Sequence, residues 1–305
     1  MTKPPKDIGA SALTRLLRAA KERGEDFQLV LTRYANERLL YRLARSRHGA
    51  QFVLKGAALF ALWTGQPHRP TRDVDLLGFG EPSESRIRDV FSDVIALEVE
   101  DDGVSFDRAA LEVGPIREDR AYGGIRVVVV ARIAGSKTRV QIDVGFGDAI
   151  TPEPLFVELP VLLDFPAPRM RAYPKETVVA EKLEAMVQLG IANSRMKDFH
   201  DIATMARLFD FEGEVLMRAV RATFSRRKTP LPAGVPTALT EAFANDPAKS
   251  AQWAAFSRKI GAGEEPNLRG VLDAVARFAL RPLGAASNRD EDWRASWSAG
   301  GPWRE

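Results

Sequence analysis

Between residues 11 and 47, apolar side chains recur at three- and four-residue intervals: Leu13, Leu16 and Leu17, then Leu29, Val30, Tyr34, Leu39, Leu40 and Leu43. That spacing predicts two helices with a break near Gly24. A short apolar run, Gln51-Phe52-Val53-Leu54, meets Lys55-Gly56 and passes into Ala57-Ala58-Leu59-Phe60-Ala61-Leu62-Trp63. It reads as a strand, a turn at glycine and a helix. Gln66-Pro67-His68-Arg69-Pro70 reads as a loop, and Asp73-Val74-Asp75-Leu76-Leu77-Gly78 as a strand ending at glycine. Residues 83–97 carry a helical pattern. Residues 125–130 and 139–144 are rich in β-branched side chains and predict two strands joined by a turn at Gly135-Ser136.

Proline clusters between residues 151 and 174, which marks the domain boundary. After Tyr173 the pattern is helical almost to the end, interrupted at 230–236 and 261–266. The expected fold class is therefore α/β of the α+β kind: a small mixed sheet in residues 1–165, then a mostly helical domain in residues 166–305. The sequence holds neither an internal repeat nor a low-complexity segment.

Composition narrows the chemistry. The 305 residues are 45% hydrophobic and 28% charged, an ordinary globular profile with room for two domains. No run approaches the roughly 18–20 apolar residues that span a bilayer. The start, Met1-Thr2-Lys3-Pro4-Pro5-Lys6-Asp7, lacks the apolar core of a secretory signal, so a cytoplasmic location with no membrane partner is expected. With no cysteine, disulfides, thiolate metal sites and cysteine nucleophiles are excluded. Three histidines, His48, His68 and His200, argue against a histidine-rich metal site. Any metal is expected to be a hard cation held by oxygen: magnesium, manganese or calcium. The net charge of +3 is too small to name a partner.

Strand side chains alternate faces, so Asp73 and Asp75 point the same way, on either side of Val74. In the later strand, Val140, Ile142 and Val144 form one face and Asp143 lies on the other. If the two strands are neighbours, three carboxylates converge and repel unless one takes a proton or a divalent ion neutralises them. Magnesium takes one or two carboxylates together with water and phosphate oxygens. Two such ions can clamp an attacking hydroxyl and a leaving pyrophosphate in line. An isolated Asp-x-Asp is more often a solvated strand pair. Here the strand bearing Asp143 is otherwise apolar, where a carboxylate is costly unless paired or ligating. The strand–glycine–helix turn upstream also offers backbone N–H groups to a triphosphate.

These residues resemble a known family. Leu54-Lys55-Gly56-Ala57-Ala58-Leu59, followed by Arg69-Pro70-Thr71-Arg72-Asp73-Val74-Asp75-Leu76-Leu77, is similar to the AbiEii/AbiGii nucleotidyltransferase toxins of the polymerase-β-like superfamily. Gln141-Ile142-Asp143-Val144-Gly145-Phe146-Gly147-Asp148-Ala149 resembles the family's third-carboxylate segment. Tyr173-Pro174-Lys175-Glu176 through Glu181-Lys182-Leu183-Glu184-Ala185, and Arg195-Met196-Lys197-Asp198-Phe199-His200-Asp201-Ile202, resemble its helical motifs. The four blocks run from Leu54 to Ile202 in the family's order, and the match spans roughly residues 50–205.

The resemblance implies magnesium- or manganese-dependent transfer of a nucleotide from an NTP to a hydroxyl. In the MenT branch the acceptor is the tRNA 3′ end. It implies metal ligation by Asp73, Asp75 and Asp143, and triphosphate binding by Lys55, Gly56 and Ala57. Thr71 falls where a family hydroxyl contacts phosphate or is modified, and Lys182 where a cation stabilises the leaving pyrophosphate. A cognate antitoxin is the implied protein partner. One departure stands out: the superfamily prefers Gly-Ser or Gly-Gly at the phosphate turn, and Gly56-Ala57 lacks that hydroxyl.

Over residues 175–190, Val179, Leu183, Met186 and Gly190 form one stripe with Lys175 and Lys182 at its edge. A lysine so placed either snorkels to water or serves the triphosphate. In the next helix Asp198, Asp201, Ile202, Met205 and Phe209 share a face, and two acids on an apolar stripe need partners. The candidates are Arg195, Lys197 or Arg207 locally, and Lys182 or a nucleotide functionally; Asp198 is expected to orient Lys182 or the NTP. His200 points off the stripe, toward the surface. Arg169, Arg171 and Arg226-Arg227-Lys228 suit an RNA backbone, with a solvated loop as the other reading and the favoured one for Arg226-Arg227-Lys228. Trp293, Trp297 and Trp303 either dock on the body, meet a partner or stack on bases. Two alternatives stay open: an aminoglycoside-type small-molecule nucleotidyltransferase, and a catalytically silent RNA- or protein-binding module.

Overall fold

The computed structural model describes residues 7–65, 69–116, 123–261, 267–290 and 293–305. The polar start (residues 1–6), Gln66, Pro67 and His68 of the predicted loop, and residues 262–266 of the last interruption lie outside them. The chain divides into two compact units: Met1–Gly147 with Leu155–Ala172, and Asp148–Pro154 with Tyr173–Glu305.

In the first unit, α1 (Ile8–Arg23) starts where the Asp7 side chain accepts from the Ala10 N–H. It stops at Gly24, whose φ of 64° is the left-handed conformation that glycine adopts at no steric cost. α2 (Phe27–Arg45) follows, capped by Asp26. Then come β1 (Phe52–Lys55), α3 (Ala58–Thr64), β2 (Asp73–Gly78) and α4 (Glu84–Ala96). The remaining strands are β3 (Val104–Pro115), β4 (Ile125–Ile133), β5 (Ser136–Phe146), β6 (Leu155–Glu158) and β7 (Arg169–Ala172). The seven described strands form one mixed sheet in the order β3-β4-β5-β2-β1-β7-β6. β2 runs parallel to β5, and β1 parallel to β7. All other neighbours are antiparallel.

The two sheet faces differ sharply. Val127 on β4, Val140, Ile142 and Val144 on β5, Val74 and Leu76 on β2, Leu54 on β1 and Ala172 on β7 point to one side, all buried. α1 and α2 pack on this side, where the Thr32 and Gln28 side chains reach Thr138 of β5. The opposite face carries Asp73, Asp75, Asp143, Lys55 and Arg126. β3 was not legible as a strand: its pairing with β4 shifts register between Asp107 and Glu112, and the bulge, around Arg108-Ala109-Ala110, breaks the alternation.

The second unit is mostly helical: α5 (Lys175–Leu189), α6 (Met196–Leu208), α7 (Gly213–Arg227), α8 (Glu241–Asn245), α9 (Pro247–Ile260) and α10 (Leu268–Asn288). Three short strands, β8 (Phe211–Glu212), β9 (Ser296–Trp297) and β10 (Trp303–Arg304), form a small antiparallel sheet. The C-terminal tryptophans dock on their own unit. The indole N–H of Trp297 donates to the Ala206 carbonyl at 2.6 Å and that of Trp303 to Phe278 at 2.8 Å. Among described residues no helix is long and apolar enough to cross a membrane.

Candidate active site

Strand register builds the site. Asp75 of β2 is the Cα partner of Asp143 across the parallel ladder to β5. On its other side Asp75 pairs with Lys55 of β1, and Asp143 pairs with Arg126 of β4. One row across the sheet therefore reads Arg126, Asp143, Asp75, Lys55, with Asp73 two residues back on the same face. Adjacent strands lie about 4.8 Å apart, so the Asp75 and Asp143 carboxylates start from neighbouring backbone positions. Asp73 is exposed, and Asp75 and Asp143 are half-buried. The start of β2 is fixed from behind: the Asn36 amide of α2 donates to the Arg72 carbonyl at 3.0 Å, one residue before Asp73. The Thr71 hydroxyl donates to the Asp73 carbonyl at 3.4 Å.

Gly56 ends β1 with φ of 78°, a left-handed turn that aims the chain into α3. A Cβ built there would stand 2.1 Å from Asp75 Oδ2 and 2.8 Å from its Cγ. The carboxylate thus packs on the glycine backbone in a space that only glycine leaves. Ala57 caps α3 without a side-chain hydrogen bond. Any ligand contact at that turn falls to backbone N–H groups.

Asp143 is already engaged. Arg126 forms a two-pronged ion pair with it, Nε to Oδ1 at 2.8 Å and a terminal nitrogen to Oδ2 at 2.7 Å. Gln141, with its amide turned to satisfy its neighbours, accepts from the same guanidinium. Among described residues no three His, Asp or Glu side chains stand close enough together to hold a metal ion. The donor chemistry nonetheless fits a hard cation: three carboxylates on one face, two of them opposite each other in register. Ligation by Asp143 would have to compete with the Arg126 fork.

A second charged cluster lies in the helical unit. Lys182 of α5 donates to Asp198 Oδ1 at 2.7 Å and Asp201 Oδ2 at 2.8 Å. Arg195 donates to Asp198 Oδ2 at 2.5 Å. Burial by itself would lower the Lys182 pKa, but Asp198 and Asp201 together hold it above the ordinary lysine value. Burial likewise works against the Asp198 charge, and Lys182 and Arg195 outweigh it, keeping its pKa below the usual 3.8. Asp198 and Asp201 have side-chain exposures of 0% and 1%. Removing the lysine would therefore strand buried charge. Lys182→Met is expected to cost about 3–5 kcal/mol of stability, read as a fall in unfolding temperature at neutral pH. The Asp198 contribution is present above the ordinary carboxylate pKa and is lost as pH falls through its lower folded value. The gap between wild type and Lys182→Met should accordingly narrow in strong acid.

Two expectations need correction. His200 is buried rather than on the surface, because α9 covers that side of α6 and Phe256 packs edge-on against the imidazole at 5.5 Å. Arg227 is not an open RNA contact: it reaches Glu184 at 2.7 Å, Asp148 at 2.9 Å and Glu181 at 3.4 Å. Burial opposes its charge, yet Glu181, Asp148 and Glu184 hold its pKa well above the ordinary arginine value. Arg126 and Asn36 belong to the site without standing out as site residues in the sequence. Arg126 had a signal, being one of two cations in an otherwise apolar strand. Asn36 had none, since its role depends on where α2 crosses β2.

The chain belongs to the family of the nucleotidyl transferase AbiEii toxin of type IV toxin–antitoxin systems, whose sequence model matches residues 38–281. It is thus a nucleotidyltransferase. None of the curated proteins matches it. Similar solved structures include a candidate nucleotidyltransferase from H. pylori, 14% identical with a TM-score of 0.45, covering 83% of this chain and 90% of that one. JHP933 from Helicobacter pylori is also 14% identical, with a TM-score of 0.44 and coverage of 83% and 88%.

Proposed function

We propose that the protein transfers a nucleotide from an NTP to a hydroxyl of an RNA acceptor, the tRNA 3′ end foremost, as the toxin of a toxin–antitoxin pair. The observation that carries this reading is the pairing of Asp75 with Asp143 in register, with Asp73 on the same face. Asp73, Asp75 and Asp143 would hold magnesium or manganese, which when bound neutralises phosphate charge and lowers the pKa of a bound hydroxyl. Gly56 makes room for the Asp75 carboxylate at a turn whose backbone N–H groups would hold the triphosphate, and Lys55 places a cation on the same face. Asp143 faces the acceptor hydroxyl and favours loss of its proton. Lys182, held charged by Asp198 and Asp201, is the cation that the family resemblance assigns to the leaving pyrophosphate. The cytoplasm, where NTP and tRNA meet, is the proposed location, and a cognate antitoxin the proposed protein partner.

Arg126 tests the metal reading. As a competitor for Asp143, its loss in Arg126→Ala should lower the magnesium concentration for half-maximal transfer about three- to tenfold, a modest effect because the pair is partly solvated. A raised magnesium requirement would instead place Arg126 on the substrate side. The reading as a whole is tested by incubating the protein with total tRNA, magnesium and each α-labelled NTP, beside Asp73→Ala. Label should enter tRNA only with the intact protein. If NTP binds but no label enters, a small-molecule acceptor replaces RNA.

A further inference from the structure

The face that bears the carboxylates continues past Lys55 onto the last two strands. Leu54 pairs with Ala172 across the parallel β1–β7 ladder, and both point into the core, so Arg171 stands on the same face as Lys55 and Asp75. Arg171 is in turn the cross-strand partner of Phe156 on β6. Phe79, next after β2, follows the alternation onto this face as well.

Two phenylalanines there are open to solvent, Phe156 at 67% and Phe79 at 43% exposure. Each lies beneath a guanidinium: Arg169 is 5.8 Å from the Phe156 ring centre and Arg171 is 5.2 Å from that of Phe79. Arg171 is further fixed by donating to the Ala50 carbonyl. Two guanidinium groups and two apolar rings thus lie side by side on one face. Glu158 is the local counter-charge, 3.6 Å from Arg169 with both side chains largely exposed.

We propose that Phe79, Phe156, Arg169 and Arg171 form a track for the single-stranded 3′ segment of the acceptor RNA, guiding its end toward Asp75 and Asp143; this rests on the RNA reading above. Bases stack on aromatic rings and on guanidinium planes, and phosphates pair with the arginine N–H groups. A duplex offers neither its base faces nor the flexibility to follow such a surface. Phe156 stands three strands from Asp75, about 15 Å, so the contacted bases lie a short way back from the reacting end. β6 is also the end strand of the sheet, where a protein strand could pair. The rings and guanidiniums stand on the face rather than along that edge, and the two guanidiniums are cationic, which favours the polyanion. These residues position the acceptor; they do not touch the reacting atoms.

The test is fluorescence anisotropy of the full-length protein with a short 5′-labelled single-stranded RNA over a series of KCl concentrations. Phe156→Ala should weaken binding about tenfold. Arg169→Ala should lower the slope of log affinity against log salt by about 0.7, the value for one phosphate contact on a single strand. NTP binding, measured separately, should be unchanged in both variants, and transfer to RNA should fall through KM. If wild type binds the RNA and both variants bind it equally well with the same salt slope, the track is overturned while the RNA reading stands. If Phe156→Ala instead turns a dimer into a monomer by light scattering, the face is a contact between chains and the proposal fails. If unmutated protein neither binds nor labels RNA, the functional reading itself fails, and the track with it.

Discussion

Asp75→Asn is expected to lower nucleotidyl transfer by about 10³-fold with little loss of stability. Asp75 is the central position of the charged row, with Asp143 on one side and Lys55 on the other, and its carboxylate rests on Gly56. Asparagine keeps the size and packing of the side chain but removes the charge that would hold the cation and face the phosphates. Loss of one such electrostatic contact at the transition state typically costs 10²–10³ in rate, about 3–4 kcal/mol. The change should appear in kcat and in kcat/KM together, since the missing interaction strengthens as charge develops. The check is a rate comparison alongside thermal unfolding: retained activity would remove Asp75 from the site, and collapse of the fold would make it structural.

Gly56→Ala is expected to lower transfer about 10²- to 10³-fold although it replaces no ionisable residue. Two penalties combine. A non-glycine residue in the left-handed region costs about 1–2 kcal/mol. The new methyl would also meet Asp75 Oδ2 at 2.1 Å, so the carboxylate must leave its position. Gly24→Ala separates the two effects. Gly24 has φ of 64° but nothing within 4 Å of its would-be Cβ. Both variants should lose a few degrees of unfolding temperature, and only Gly56→Ala should lose activity. Equal activity in the two would show that the approach of Asp75 to the turn does not matter.

Much of the first unit could be read from local pattern. The break at Gly24, the strand–glycine–helix turn and the β4–β5 pair each follow from alternation, spacing or turn chemistry within a few residues. The Arg126–Asp143 pair was missed by one residue of turn: a turn at Gly135-Ser136 sets Asp143 against Val128, whereas the actual turn, Ala134-Gly135 with φ of 50° at Ala134, sets it against Arg126. What pattern could not supply was long-range. The parallel pairing of β2 with β5 joins segments some sixty residues apart through an antiparallel excursion, and local sequence carries no mark of it. β3 was hidden by its bulge. His200 looked exposed because one helix's periodicity cannot report a second helix packed on its polar side. Arg227 looked like an open basic patch because the acids that hold it come from distant stretches, Asp148 before α5 and Glu181 and Glu184 within it.

The claim that the Asp73, Asp75 and Asp143 face holds the NTP and its metal has one most direct test: manganese binding by electron paramagnetic resonance, with and without a non-hydrolysable NTP. Wild type should immobilise manganese when the NTP analogue is present, and Asp75→Asn should leave it free while keeping the same unfolding temperature. Equal manganese binding by the variant, or full transfer activity in wild type that binds no divalent ion, would contradict the assignment of these carboxylates.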